Sequence, residues 1–220
     1  MKIKAVAFDI DGTLYPNYQL YFRSIPLFIS NPRLALHFSK VRKRIRTIRP
    51  ITDFRKLQAE LLSEAMNISY SRSFRLIEEN IYTRWESTFH GIKVYPQIRT
   101  LLKELKEEGL KLGVLSDFPV ARKLEYLKLN EGWDCTICSE ETGYLKPNPE
   151  PFMRLSEDLD TSPGEILYVG NHYEYDVVGA LRAGLKAAHI GKKQNSGSKA
   201  DLTFSSIDEL RNCIREFINN

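Results

Sequence analysis

From Tyr95 onward the chain alternates short apolar runs with stretches of helical periodicity, and few chain paths satisfy that pattern. Pro96 suits the first turn of a helix whose apolar positions are Ile98, Leu101, Leu102 and Leu105, stopped at Gly109. Leu110 to Leu115 then reads as a buried strand ending at Ser116-Asp117. A helix near 120–129, a short strand Thr136–Cys138 and a helix opened by Pro149 (Phe152, Leu155, Leu159) follow. Ile166–Gly170 is the next buried strand, a helix runs from Asp176 to Gly184, and Lys186–Ile190 and Leu202–Phe204 complete the strands. Ser206-Ile207-Asp208-Glu209 is a capping box that starts a last helix with Leu210, Ile214 and Phe217 inward. With Ile3–Ala7 added in front, repeated β-α units of this length imply an α/β fold: a Rossmann-like parallel sheet flanked by helices. Ligands of such sheets sit beyond the carboxyl ends of the strands, where Asp9, Ser116 and Asn171 all lie.

Residues 16–95 break the alternation. They carry helical spacing without buried strands, as in Val41, Ile45 and Ile48, in Leu57, Leu61 and Leu62, and in Phe74, Ile77 and Ile81. The expectation is an inserted all-helical unit over 16–95, dividing an α/β unit made of 1–15 and 96–220. The charges divide in the same way. Residues 16–95 hold 14 Lys/Arg against 6 Asp/Glu, and the rest holds 18 against 22, giving the overall net charge of +4. Much of the excess is in the run 40–49, KVRKRIRTIR. There the apolar stripe Val41, Ile45, Ile48 is expected to send the cations to the other, solvated faces. Attraction of an anionic substrate is a second use for that run, and nucleic acid is not an expected partner. Tyr15, Tyr18, Tyr21 and Phe22 near the first joint read as aromatic core, with the lining of a pocket as the second reading.

No apolar stretch approaches the roughly 18 residues of a membrane span. The opening Met1-Lys2-Ile3-Lys4 runs straight into a strand instead of a signal segment, which points to a cytoplasmic protein. Three cysteines do not suggest a disulfide framework. Cys135 and Cys138 form CxxC, but a strand turns such residues to opposite faces, so buried cysteines are expected and not a metal or redox pair. Gln194–Lys199 reads as a loop.

The chemistry is concentrated in Phe8-Asp9-Ile10-Asp11-Gly12-Thr13-Leu14. A strand ends in two carboxylates at i and i+2, which strand alternation would place on one side, and then breaks at a glycine whose sharp turn frees N–H groups for an anion. A calcium loop from Asp9 would need Gly and Glu where Leu14 and Leu20 stand. The arrangement suits a nucleophile, an adjacent acid/base and a Mg²⁺ that holds phosphate against both.

With the strand Leu112–Leu115 ending in Ser116, the segment Gly143-Tyr144-Leu145-Lys146-Pro147-Asn148-Pro149, and Val169-Gly170-Asn171 followed by Asp176, the chain resembles the haloacid dehalogenase-like hydrolases, over about two-thirds of its length. The resemblance implies that Asp9 is the nucleophile and carries an aspartyl-phosphate, and that Asp11 is the leaving-group acid and later the base. Ser116, Lys146 and the N–H groups of Gly12 and Asp117 would bind the phosphoryl oxygens. Mg²⁺ would be held by Asp9, the Asp11 carbonyl, Asn171 and Asp176. An acid at position 11 favours phosphoryl transfer over dehalogenation, and 16–95 corresponds to the family's helical cap. One departure is Asn171, where many members carry an acidic residue. The implied activity is Mg²⁺-dependent hydrolysis of a small soluble phosphomonoester. A phosphomutase and a weakly active scaffold that binds phospho-ligands or proteins through the basic cap are the other readings. No heptad run specifies an oligomeric state.

Overall fold

The structure is a computed structural model that describes residues 2–191 and 198–219. Six parallel strands form one sheet in the order β3-β2-β1-β4-β5-β6: β1 (Ala5–Phe8), β2 (Lys111–Ser116), β3 (Cys135–Cys138), β4 (Ile166–Gly170), β5 (Lys186–Ile190) and β6 (Leu202–Phe204). Side-chain alternation divides each strand between two apolar layers. Val6, Phe8, Leu112, Val114, Leu167 and Val169 enter one layer with α5 (Ile98–Glu107) and α9 (Ile207–Asn219). Ala5, Ala7, Leu115, Ile166 and Tyr168 enter the other with α7 (Glu150–Asp158) and α8 (Val178–Arg182). The expected α/β sandwich is therefore the observed fold. Ser206 caps α9 as expected, but Glu209 closes on the Ser205 N–H and hydroxyl rather than on Ser206. Residues 194–197 of the expected loop lie outside the described residues.

The cysteines follow the strand argument. Cys138 packs in the first layer and Cys135 in the second, and burial pushes their thiols up to about 12 and about 11. Neither is a reactive thiolate at neutral pH.

Between β1 and α5 the regular elements among the described residues are helices: α1 (Asn17–Ser30), α2 (Pro32–Ile45), α3 (Phe54–Met66) and α4 (Tyr70–Ile77), the last continued by wide π-type turns over Glu78–Trp85. Their own apolar cluster includes Leu34, Phe38, Val41, Ile45, Leu62, Ile77 and Ile81. The chain is back in the sheet's core by Phe89 and Ile92.

Two expectations for this region need correction. The cations of the basic run do not all point to water. Arg42 is 7% exposed, lies over the Phe118 ring at 4.1 Å, and donates to Gln58 Oε1, the Asp117 carbonyl and the Glu140 carboxylate. Arg46, one turn on, pairs with Asp117 at 2.6 Å. These arginines are on the flank of the run that meets the sheet-side loops, where planar guanidinium groups satisfy several acceptors at once. Of the four aromatic residues near the first joint only Tyr15 is core. Tyr18 and Phe22 are 59% and 68% exposed on the outward face of α1, and Tyr21, 63% exposed, lies at the rim of a cavity, as the second reading of these residues has it.

Candidate active site

β1 ends at Phe8, and the Asp9 N–H extends the ladder by one step onto the Val169 carbonyl at 2.9 Å. The chain then folds back, with the Thr13 and Leu14 N–H groups donating to the Ile10 carbonyl. Asp11 therefore lies beyond the strand, and the two carboxylates take different partners. Asp9 Oδ1 accepts from Lys146 Nζ at 2.8 Å, and the same ammonium donates to Asp176 Oδ1 at 2.6 Å and to the Tyr168 hydroxyl at 3.1 Å. Asp11 accepts from Lys123 Nζ at 2.6 Å and from the Tyr15 hydroxyl at 2.8 Å. Both carboxylates still line one cavity of about 270 Å³, together with Asn17, Arg46, Asp117, Lys146, Asn171 and Asp176. The cavity opens beyond the carboxyl ends of β1, β2 and β4, as parallel sheets dictate.

The turn requires its glycine. Gly12 has φ +87°, and a Cβ there would stand 2.2 Å from both Asn17 Oδ1 and Asn171 Nδ2. Asn171 follows β4, its carbonyl 3.2 Å from His189 Nε2. Asp176 Oδ2 accepts the His172 N–H at 2.9 Å. His172 stacks on Tyr175 at the cavity's edge. Ser116 is wholly buried and outside the cavity lining, with its hydroxyl 3.3 Å from Lys123 Nζ. Asp117 does line the cavity, but its carboxylate faces Arg46 and accepts the Lys146 N–H.

Burial dominates the electrostatics. It pushes the Asp9 carboxyl up to about 7; Lys146 pulls against this, while Asp176 and Asp11 add to it. Burial also works against the Lys146 charge, but Asp176 and Asp9 outweigh it and hold the ammonium well above its ordinary range. For Asp117 the burial penalty is overcome by Arg46, Lys146 and Arg42, which keep the carboxyl at about 2. A carboxyl depressed from 3.8 to about 2 contributes stability above the unfolded value and loses it as pH falls through about 2. Asp117→Asn is therefore expected to lose on the order of 2 kcal/mol at pH 7, the gap to wild type closing in strong acid; urea melts at pH 7 and pH 2 read both.

Among the described residues no three acidic, histidine or cysteine side chains already form a metal cluster. The donors nevertheless suit a hard divalent cation. Asp9 and Asp176 offer carboxylate oxygens and Asn171 an amide oxygen along one cavity, the hard donors such a cation takes.

Sequence reasoning missed Lys123, Asn17 and Arg46. Lys123 is 1% exposed in α6 (Ala121–Tyr126) and faces the rings of Phe89, Trp85 and Phe118 at 5.0–5.5 Å. Its signal was available: with Val120, Leu124 and Leu127 it occupies the i, i+3, i+4, i+7 stripe of a buried face. Arg46 was hidden within the basic run, and Asn17 had no periodic context.

A family model described as haloacid dehalogenase-like hydrolase matches residues 3–184. The chain is 29% identical to a glyceraldehyde 3-phosphate phosphatase of Methanopyrus kandleri, over 97% of this chain and 98% of that protein. It is 27% identical to the pyrophosphatase PpaX of Bacillus cereus, over 96% and 95%. A solved 2-haloacid dehalogenase from Pseudomonas syringae pv. Tomato superposes with a TM-score of 0.71 at 21% identity, covering 98% of this chain and 99% of that one, a likeness of fold. No helix among the described residues is long and apolar enough to cross a membrane.

Proposed function

The chain belongs to the haloacid dehalogenase-like hydrolases and is a phosphoric monoester hydrolase; on that premise we propose that it cleaves a small phosphomonoester through an aspartyl-phosphate on Asp9, with Mg²⁺ as cofactor. The observation that carries this reading is the division of labour between the two carboxylates. Asp9 is held by the buried Lys146, and Asp11 is held separately by Lys123 and Tyr15 in the same cavity. A dehalogenase needs no leaving-group acid, so a second, independently positioned carboxyl favours phosphoryl transfer.

Asp9 Oδ attacks phosphorus as the ester P–O bond breaks, and Asp11 gives its proton to the departing oxygen. Asp11 then takes a proton from the water that attacks the phosphorus, releasing inorganic phosphate and the free Asp9 carboxylate. Lys146 presents its charge to the phosphoryl oxygens, and Lys123 is a positioning residue that fixes Asp11. The helices of 16–95 act as a cap that excludes water, with Arg42 and Arg46 tying it to the sheet-side loops. Mg²⁺ would be held by Asp9, the Asp11 carbonyl, Asn171 and Asp176, and when bound supplies positive charge against the repulsion between carboxylate and phosphate.

Hydrolysis of an aryl phosphate by the purified protein, with Mg²⁺ and with chelator, tests the reading: phosphate release that the chelator stops supports it. A protein that takes up the phosphoryl group and passes it to an added alcohol, without releasing phosphate, is a mutase instead. Asn171→Asp adds a charged oxygen ligand and is expected to lower the Mg²⁺ concentration for half-maximal activity by about tenfold. An unchanged Mg²⁺ titration removes Asn171 from the ligand set.

A further inference from the structure

A second cavity, of about 250 Å³, adjoins the first, and Leu20, Tyr21, Trp85 and Phe118 line both. Its remaining wall comes from α1 and α2, chiefly Phe28, Ala35 and Phe38, with Ile81 from the wide helical turns. The surface is almost wholly apolar. Its one charged residue is Arg42, whose guanidinium is already satisfied by Gln58, the Asp117 carbonyl and Glu140. Arg46, in the neighbouring cavity, is likewise committed to Asp117. No cation in this wall stands ready for a second phosphate, and nothing here matches the several hydroxyls of a sugar, whose burial without partners is costly.

One group in the cavity wall is unsatisfied. Ser24 is 1% exposed, and among the described residues its hydroxyl finds no hydrogen-bond partner. That hydroxyl is itself sealed from the open space of the cavity, so the wall offers an occupant almost no polar partner.

We propose that this cavity receives the alcohol part of the substrate, and that the substrate is a phosphate ester of a largely apolar aryl or alkyl alcohol. A dry cavity of about 150 Å³ accommodates benzene, so this one holds roughly six to ten non-hydrogen atoms. The inference rests on the hydrolase reading above for its anchor, the phosphate at Asp9.

The test uses the full-length protein with Mg²⁺ and a series of methyl-, butyl-, hexyl- and benzylphosphonate, their binding measured by calorimetry. In parallel, hydrolysis of butyl, hexyl and phenyl phosphate is compared with that of glycerol phosphate and pyrophosphate. Affinity should tighten about threefold to fourfold per buried methylene from methyl to hexyl. Hexyl and phenyl phosphate should exceed glycerol phosphate in kcat/KM by about 100-fold or more. Ala35→Phe, which fills the cavity, should flatten the chain-length dependence; Ser24→Leu provides a second filling at another point of the wall. Equal affinity from methyl to hexyl overturns the inference, and so does a slope that both filled variants retain. Turnover of all esters alike with flat affinity sinks the apolar subsite and spares the hydrolase reading. A slope in phosphonate binding with no ester hydrolysed supports the subsite and sinks that reading.

Discussion

Asp9→Asn is expected to abolish turnover of any phosphate ester, a loss of about 10⁴- to 10⁶-fold, while making the metal-free protein more stable at pH 8. The first effect follows from the proposed mechanism, in which the carboxylate at this position forms the acyl phosphate and an amide cannot. The second follows from burial. A carboxyl raised from 3.8 to about 7 binds its proton more tightly in the folded state, so wild-type stability falls as pH rises across that interval. A neutral amide has no such fall. The variant should therefore gain on the order of 3 kcal/mol over wild type at pH 8 with chelator present, and little or nothing at pH 4. Added Mg²⁺ should raise the melting temperature of wild type more than that of the variant. Equal stability of the two proteins at pH 8 would mean that Lys146 already neutralises Asp9.

Lys146→Met produces the opposite stability effect. Lys146 is 3% exposed and is the common partner of Asp9 and Asp176, themselves 5% and 2% exposed. Methionine fills similar volume and brings no charge, so two carboxylates are left facing each other in an apolar setting. Removing one partner of a buried ion pair costs about 3–5 kcal/mol, and here two acids lose the same cation. The loss should be largest above neutral pH and shrink as pH falls and the acids take up protons, which urea melts at pH 8 and pH 5 would display. Activity should fall by about 10³-fold at saturating substrate, since the proposed mechanism gives the Lys146 charge to the transferring phosphoryl oxygens. A variant as stable as wild type at pH 8 would show that the Asp9–Asp176 repulsion is relieved some other way.

Much of this was legible in the chain. The strand residues Ile166–Gly170, Lys186–Ile190 and Leu202–Phe204 were readable because apolar runs between glycines and prolines have one economical use in a parallel sheet. Asp9, Asp11, Lys146, Asn171 and Asp176 were named from motif order, and the fold brings them to one cavity. What periodicity does not encode is which partner a side chain meets. The spacing of Asp9 and Asp11 brings both to one cavity but does not reveal that Asp11 is held by Lys123 and Tyr15 while Asp9 is held by Lys146. Charge composition misled for Arg42, because a count of cations says nothing about an acceptor such as Glu140 nearly a hundred residues away in sequence. The outward face of α1 was misread since aromatic residues near a joint resemble core until the helix has been placed.

The position of β1 has a consequence for how the molecule is made. Ala5 pairs with Lys111 on one side and with Ile166 on the other, so the middle of the sheet must wait until most of the chain has been synthesised. The helices between β1 and β2, whose contacts are mostly local, can form while β1 still lacks both neighbours. Closing the long excursion is inexpensive in entropy, because doubling a flexible loop adds only about 0.6 kcal/mol. The helical unit can therefore change in length without altering how the strands of the sheet pair.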